Sequence, residues 1–96
     1  MIRLEKDILV VSGDDIVKVA SALTSTTRLR ILKLLRRKCM TLKEIANEIG
    51  KSKANTSIQI KQLEELKLVD TRYVQSEKGL RKVCISPVKE IRFILE

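Results

Sequence analysis

Residues 53–62 combine small polar, cationic and apolar side chains at helical spacing. Asn55, Ile58 and Gln62 recur at three- and four-residue intervals, which places them on one face of a helix. The residues that flank this face are Lys53, Ala54, Ser57 and Lys61. Such a set can hydrogen-bond to base edges, contact thymine methyl groups and pair ammonium groups with phosphates. The chemistry that this stretch could perform is therefore recognition of a DNA major groove.

The preceding residues predict a first helix and a tight turn that would position this second helix. Thr41 can cap the first helix, and Glu44 can complete a capping box three residues later. Gly50 is expected to end that helix, because only Gly enters the left-handed region cheaply. Ser52 can then cap the second helix. The apolar stripe of the first helix consists of Leu42, Ile45, Ala46 and Ile49.

The second helix needs an underside that fixes it to the protein. Thr56, Ile60 and Leu63 recur at helical spacing opposite Asn55, with Lys67 in line and Leu66 beside them. We expect this face to pack inward. The pattern thus predicts a pair of helices over residues 41–67 with the second one presented to a partner.

Composition limits what the chain can bind. A chain of 96 residues supports one domain, whose folding buries only about 60–65% of the unfolded surface, so dimerisation would help it. The net charge of +8 indicates a polyanionic partner: nucleic acid, an anionic membrane or an acidic protein. The excess of Lys and Arg lies between residues 26 and 61, on the helix pair and the helix before it. With aromatic residues at 2%, base stacking of the kind used by single-strand binders is not expected.

Several other classes of function find no support. No apolar run approaches the roughly 18 residues that cross a bilayer, and the charged N-terminus is unlike a signal peptide, so we expect a cytoplasmic protein. With no His, and with Cys39 and Cys84 far apart, no zinc site is expected. The two thiols are expected to be either small buried or half-buried groups or, for Cys39 beside Arg36–Lys38, a redox sensor. No general base, nucleophile or phosphate loop is recognisable, so we predict neither an enzyme nor a cofactor.

The N-terminal third predicts strands and then two helices. Residues 2–11 alternate well enough for one strand or two short ones. Ser12 or Asp14 could begin a helix over about residues 14–23, with an apolar face of Ile16, Val19, Ala20 and Leu23. Ser25 caps the next helix, which is apolar nearly all round. Its basic end, residues 36–38, either complements the helix dipole or contacts phosphate.

The C-terminal third predicts a β-hairpin and a further strand. Two runs, LVDTRYVQ and LRKVCIS, flank the polar link SEKG. Lys78 lies at the tip of this hairpin, with Arg81 and Lys82 just beyond it. Alone, such a hairpin is a solvated turn, but after a helix-turn-helix it becomes a wing that can follow the phosphate backbone. The tail fits a helix or a strand. Its β-branched and aromatic residues favour a strand that pairs with residues 2–10, within one chain or across a dimer.

The segments ASALTSTTRLRILKLL and MTLKEIANEIGKSKANTSIQIKQLEELKLV, followed by the hairpin with EKGLRKVCI, resemble arsenic-repressor-like (ArsR) winged-helix transcription regulators. The similarity covers roughly residues 16–86 and is greatest to short, archaeal-type members. It implies an α+β, mainly α, winged helix-turn-helix fold. From the chain length we expect residues 1–96 to be one such domain, with flanking segments 1–12 and 87–96 that form a dimer or pair as strands. The resemblance also implies a homodimer that binds double-stranded operator DNA as a repressor.

The resemblance assigns positions to this interface residue by residue. Base reading falls to Lys53, Ala54, Asn55, Ser57 and Ile58, while Lys61 lies toward phosphate. Lys51 replaces a usually apolar residue after Gly50, as though the turn itself faced phosphate. The cysteine positions of metal-sensing members are Thr41 and Lys43 here, so no metal ligand and no small-molecule effector is identifiable. A winged helix that serves as a protein-interaction or RNA-binding module of a larger complex is the alternative.

Overall fold

The computed structural model describes residues 1–96 and contains five strands and four helices. In chain order these are β1 (Ile2–Glu5), β2 (Ile8–Ser12), α1 (Asp15–Ala22), α2 (Thr26–Arg37), α3 (Leu42–Ile49), α4 (Lys53–Glu65), β3 (Asp70–Ser76), β4 (Gly79–Ile85) and β5 (Glu90–Ile94). The predicted α+β class is confirmed, with a helix pair, a following hairpin and strands at both ends.

The two ends of the chain meet in a three-stranded sheet of order β1-β2-β5. The central strand, β2, pairs antiparallel with β1 and parallel with β5. Leu9 and Val11 of β2 are fully buried, and Ile91 and Phe93 of β5 lie beside them in register. The preference for a strand in the tail is confirmed, and its pairing with the N-terminal segment occurs within one chain.

Helix α1 follows the prediction in position but not in every detail. It spans Asp15–Ala22. Its N-cap residue is Asp14, whose side chain accepts no capping hydrogen bond. Val19 and Ala22 are its buried residues, whereas Ala20 is exposed, so the predicted apolar face was wrong at Ala20. The helix ends one residue earlier than expected, and Ala22 is buried where Ala20 was expected to be.

The core is aliphatic and continuous from the terminal sheet to the helix pair. Its largest fully enclosed side chains come from β2, α2, α3, α4 and the segment before β3: Leu9, Ile31, Leu35, Ile45, Leu63 and Leu68. Helix α2 contributes Ile31 and Leu35 to this core. As predicted, Ser25 caps the helix: its hydroxyl accepts a hydrogen bond from the backbone N–H of Arg28 at 3.2 Å. No helix is both long enough and apolar enough to cross a membrane.

Candidate nucleic-acid interface

The entry to the helix pair is fixed by the predicted capping box. The hydroxyl of Thr41 accepts from the backbone N–H of Glu44 at 3.2 Å, and the Glu44 carboxylate accepts from the backbone N–H of Thr41 at 2.9 Å. These hydrogen bonds satisfy amides that the helix itself leaves unpaired. They also lower the pKa of the Glu44 carboxyl, with smaller contributions from Arg81 and Lys38.

The turn between α3 and α4 has the geometry that the sequence predicts. Gly50 adopts the left-handed conformation with φ 68°, and its N–H bonds back to the carbonyl of Ala46. Ser52 then caps α4 by accepting from the backbone N–H of Asn55 at 3.0 Å. Lys51 lies exposed between the two caps, where an ammonium group is free to meet solvent or a phosphate.

The underside of α4 is firmly packed. Thr56, Ile60 and Leu63 are buried, and the Thr56 hydroxyl is satisfied by donating to the carbonyl of Ser52 at 2.8 Å. Lys67 does not belong to this face, contrary to the prediction. The helix ends at Glu65, and Lys67 is exposed in a left-handed conformation with φ 63°. Leu68, one residue later, fills the buried position instead.

The opposite face of α4 is open to solvent. Asn55 is exposed, and Ile58 keeps 58% of its surface accessible although it is a large apolar residue. The other predicted base-reading or phosphate positions on this side are also exposed: Lys53, Ala54 and Lys61. A buried underside with a polar, partly apolar outer face is what a helix presented to a major groove requires.

Ser57 lies at a different place from its neighbours. It is half-buried and lines a small cavity of about 110 Å³ between α4 and β4, together with Lys61 and Lys82. Cys84 also borders this cavity, and burial raises the pKa of its thiol. The structure therefore brings Ser57, Lys61 and Lys82 together at the junction of α4 and the hairpin.

One arginine ties α4 to the end of α1, a link that the sequence did not reveal. Nε of Arg28 donates to the carbonyl of Ala22 at 2.8 Å, and Nη2 donates to that of Ser21 at 3.4 Å. Nη1 donates to the side-chain oxygens of Gln59 at 3.1 Å and Gln62 at 3.3 Å. Gln62 was predicted on the partner-facing side, but this contact engages its side chain toward α1. Gln59 and Gln62 lie 31 and 34 positions after Arg28, so nothing in the sequence indicated these contacts.

The predicted wing is a two-stranded antiparallel sheet of β3 and β4. At its turn the Ser76 hydroxyl donates to the carbonyl of Gly79 at 2.7 Å, and Gly79 has φ 105°. Lys78 lies exposed in this turn. The base of the wing is attached to the segment before α3, where Met40 and Cys84 exchange backbone hydrogen bonds of 3.0 and 2.8 Å.

Arg81 and Lys82 are both exposed but have different surroundings. Nη2 of Arg81 lies 3.3 Å from the Glu44 carboxylate, so this side chain connects the wing to the start of α3. Lys82 borders the cavity beside α4. The structure thus suggests that Arg81 orients the wing, while Lys78 remains the cation at its tip.

The two cysteines have contrasting environments, and neither belongs to a metal cluster. Cys39 is exposed after the basic end of α2, whereas Cys84 is buried. The expected burial is confirmed for Cys84 and is wrong for Cys39. No group of three or more His, Cys, Asp or Glu side chains could hold a metal ion.

Comparison with known proteins supports this geometry. A family model described as a helix-turn-helix domain matches residues 23–72, a little more than half of the chain. The chain belongs to this helix-turn-helix family. The matched residues run from the end of α1 to the start of β3 and contain the whole helix pair. No curated protein sequence is significantly similar to this chain.

Solved structures resemble this helix-turn-helix protein over most of its length. The homodimeric winged helix-turn-helix DNA-binding domain of Mb0332 from Mycobacterium bovis, a possible ArsR-family transcriptional regulator, is 26% identical with a TM-score of 0.65. The match covers 77% of this chain and 65% of that fragment, slightly less than two thirds. NolR from Sinorhizobium fredii is also 26% identical, with a TM-score of 0.66 and coverage of 77% and 70%. The predicted resemblance to ArsR-like winged-helix proteins is confirmed.

A more distant match shows the fold alone. A possible transcriptional regulator from Methanosarcina mazei is 11% identical, with a TM-score of 0.59. The match covers 80% of this chain and 68% of that protein's chain. The winged helix-turn-helix arrangement is therefore preserved where little sequence is shared.

Proposed function

We propose that this protein is a sequence-specific double-stranded DNA-binding transcription regulator that acts as a homodimer. The single observation that carries the proposal is the division of α4 into a buried underside and an exposed face with Asn55 and Ile58. On this face Asn55 can hydrogen-bond to base edges, and Ile58 can contact the thymine methyl groups that line the major groove.

The proposed site divides its residues into two roles. Base reading is assigned to Asn55 and Ile58, helped by Ala54 and by Ser57 at the edge toward the wing. Phosphate contact is assigned to the exposed cations around α4 and the wing: Lys51, Lys53, Lys61, Lys78, Arg81 and Lys82. Lys53 is included although the resemblance counts it among the base-reading positions, because its ammonium is a point charge suited to phosphate, and Arg81 would combine this contact with its pairing to Glu44. No residue is given a catalytic role, and no cofactor or effector is required.

The proposed mechanism is repression by occlusion. Two copies of α4 in successive major grooves would lie about 34–36 Å apart on a pseudo-palindromic site. A dimer so placed would block access to overlapping promoter sequences. We propose that residues 1–96 act together as one domain, with segments 1–12 and 87–96 completing it, and that the protein works in the cytoplasm.

The test begins with selection of bound duplexes from a random pool, followed by affinity measurements by fluorescence anisotropy at several salt concentrations. We expect one enriched pseudo-palindromic motif and log affinity that falls with log salt by about 0.9 per phosphate contacted. An RNA hairpin and a single strand of the selected sequence serve as controls. Tighter binding to RNA, or no binding to duplexes at low salt, would contradict the proposal and support the RNA or protein-interaction alternative.

A further inference from the structure

Strand β5 leaves an open and unusually apolar edge on the terminal sheet. In the order β1-β2-β5 it pairs only with β2, so its other side has no strand partner. Phe93 and Ile94 are each 37% exposed, and Leu95 directly after the strand is 84% exposed. Proteins normally protect such edges with Pro, Lys or a covering element, because an open apolar edge pairs with other chains. Within the strand the charged residues are Glu90 and Arg92, which have opposite signs, so they oppose pairing only in registers that bring like charges together.

A groove adjoins this edge on the inner face of the sheet. It has a volume of about 360 Å³, and the cations Lys33, Arg36 and Lys89 stand beside its six apolar lining residues: Leu23, Leu29, Leu32, Leu68, Val88 and Ile91. Ile91 and Phe93 share one face of β5, since successive side chains of a strand alternate. Phe93 therefore lies on the same face of the strand as Ile91, which lines the groove.

We propose that a second copy of this chain pairs with β5 edge to edge, in antiparallel orientation about a two-fold axis at Ile91. The inference deepens the proposed homodimer and rests on that function. In this register Glu90 of each copy lies opposite Arg92 of the other, and the two copies of Ile91 lie opposite each other. Both three-stranded sheets then join into one sheet of six strands.

Charge complementarity selects this register over its neighbours. Moving the axis by one residue to Arg92 would place the two arginines directly opposite each other, and like charges facing across strands are destabilising. With the axis at Ile91, Phe93 of the second copy lies opposite Lys89, which lines the groove. Phe93 and Leu95 of the second copy therefore cover the groove of the first, and the reverse holds by symmetry.

Charge reversal tests both the edge and the register in the full-length protein. Glu90→Arg gives a chain whose strand is positive at both positions, and Arg92→Glu gives one that is negative at both. Each variant alone should self-associate about tenfold more weakly than the wild type, because two like-charge contacts replace two attractive ones. An equimolar mixture should recover wild-type affinity through a heterodimer. Pairing between Glu90 and Arg92 within one chain cannot produce that recovery.

Sedimentation equilibrium without DNA provides the measurement, and circular dichroism establishes that both variants fold. Phe93→Arg should also weaken the dimer, while Leu80→Arg at an exposed position of the wing should leave it unchanged. Recovery in the mixture supports the proposal. A monomeric wild type would overturn it. Single variants that dimerise normally would also overturn it, by indicating a different surface, and a mixture that does not recover would do so by indicating a different surface or register.

DNA binding of the same samples separates the two proposals. A dimer that follows the charge-reversal pattern but ignores duplexes would refute the proposed function and leave the β5 interface intact. If the Glu90→Arg and Arg92→Glu variants each dimerise normally and still bind DNA sequence-specifically, the β5 interface is refuted and the proposed function remains intact.

Discussion

Helix α4 and the β3–β4 wing both present polar and basic side chains to solvent, yet they are attached to the protein in different ways. Three buried residues hold the underside of α4, and Arg28 connects its flank to the end of α1. The wing is attached at its base, through the Met40–Cys84 hydrogen bonds and the Arg81–Glu44 pair, while its tip projects freely.

This difference matches two kinds of contact with DNA. Reading a base edge requires donors and acceptors held in a fixed position, because a poorly placed side chain cannot discriminate between bases. A phosphate contact requires mainly charge within reach and tolerates motion. We therefore propose that α4 discriminates between sequences and that the wing tip adds affinity for any sequence.

The largest expected effect contrasts two leucines, one from each region. Leu63→Ala empties a fully buried position under α4 and should lower the free energy of unfolding by about 2–5 kcal/mol. Leu80→Ala, at a side chain that is 70% exposed on the wing, should change it by less than about 0.5 kcal/mol. Urea denaturation measures both values. Similar losses in the two variants would contradict the contrast in attachment.

Arg28 tests whether α4 must be held at its flank to discriminate between sequences. Arg28→Met keeps an unbranched apolar stem but removes all the donors to Ser21, Ala22, Gln59 and Gln62. We expect the ratio of affinities for the selected site and an unrelated duplex to fall by about 5–10-fold, since two of the four lost hydrogen bonds hold α4 itself and their loss weakens its positioning by on the order of 1 kcal/mol.

The matched control for this variant is Arg30→Met, an exposed arginine on the same helix that makes no side-chain hydrogen bond. It removes the same charge and should weaken both duplexes equally, leaving the ratio unchanged. The positioning role of Arg28 would be refuted if both variants left the ratio as it is in the wild type.

The smallest effect concerns Glu44, which caps α3, the helix before α4, and pairs with Arg81 of the wing. Its hydrogen bonds from Thr41 lower its pKa below the ordinary 4.5. The carboxylate therefore stabilises the fold at pH values above 4.5, and this contribution is lost as the pH falls through the lowered pKa.

Glu44→Gln should accordingly be less stable than the wild type at pH 7, and the two should converge in acid. Thermal unfolding between pH 7 and pH 3 measures the difference. Glu48→Gln, on the same helix but without a salt bridge, should differ from the wild type by less at neutral pH. A difference for Glu44→Gln that is constant with pH would show that its charge has no part in the cap.

Features of the fold that depend on neighbouring residues could be predicted from the sequence. The capping box at Thr41, the left-handed Gly50 and the cap at Ser52 all arise within three or four residues, so the side chains alone indicate them. The two faces of α4 were also predicted, because helical spacing decides which residues share a side. The error at Lys67 came from extending that spacing beyond the end of the helix.

Features that depend on distant residues could not be predicted in the same way. Pairing of the two chain ends was expected, but neither the parallel orientation of β5 nor its place at the edge of the sheet follows from alternation. The hydrogen bonds from Arg28 to Gln59 and Gln62 and the Arg81–Glu44 pair join residues more than 30 positions apart. Their side chains are ordinary surface types whose partners are determined only by tertiary packing.

Substitution of two neighbouring residues of α4 tests the central claim most directly. Asn55→Ala and Lys53→Ala are compared by measuring affinity for the selected site and for a set of single-base variants of it. Asn55→Ala should cost about 1–3 kcal/mol on the selected site and flatten the preference at one position, whereas Lys53→Ala should weaken all sequences alike and reduce the salt slope by about 1. Equal losses on every sequence for both variants would contradict the claim that the outer face of α4 reads bases.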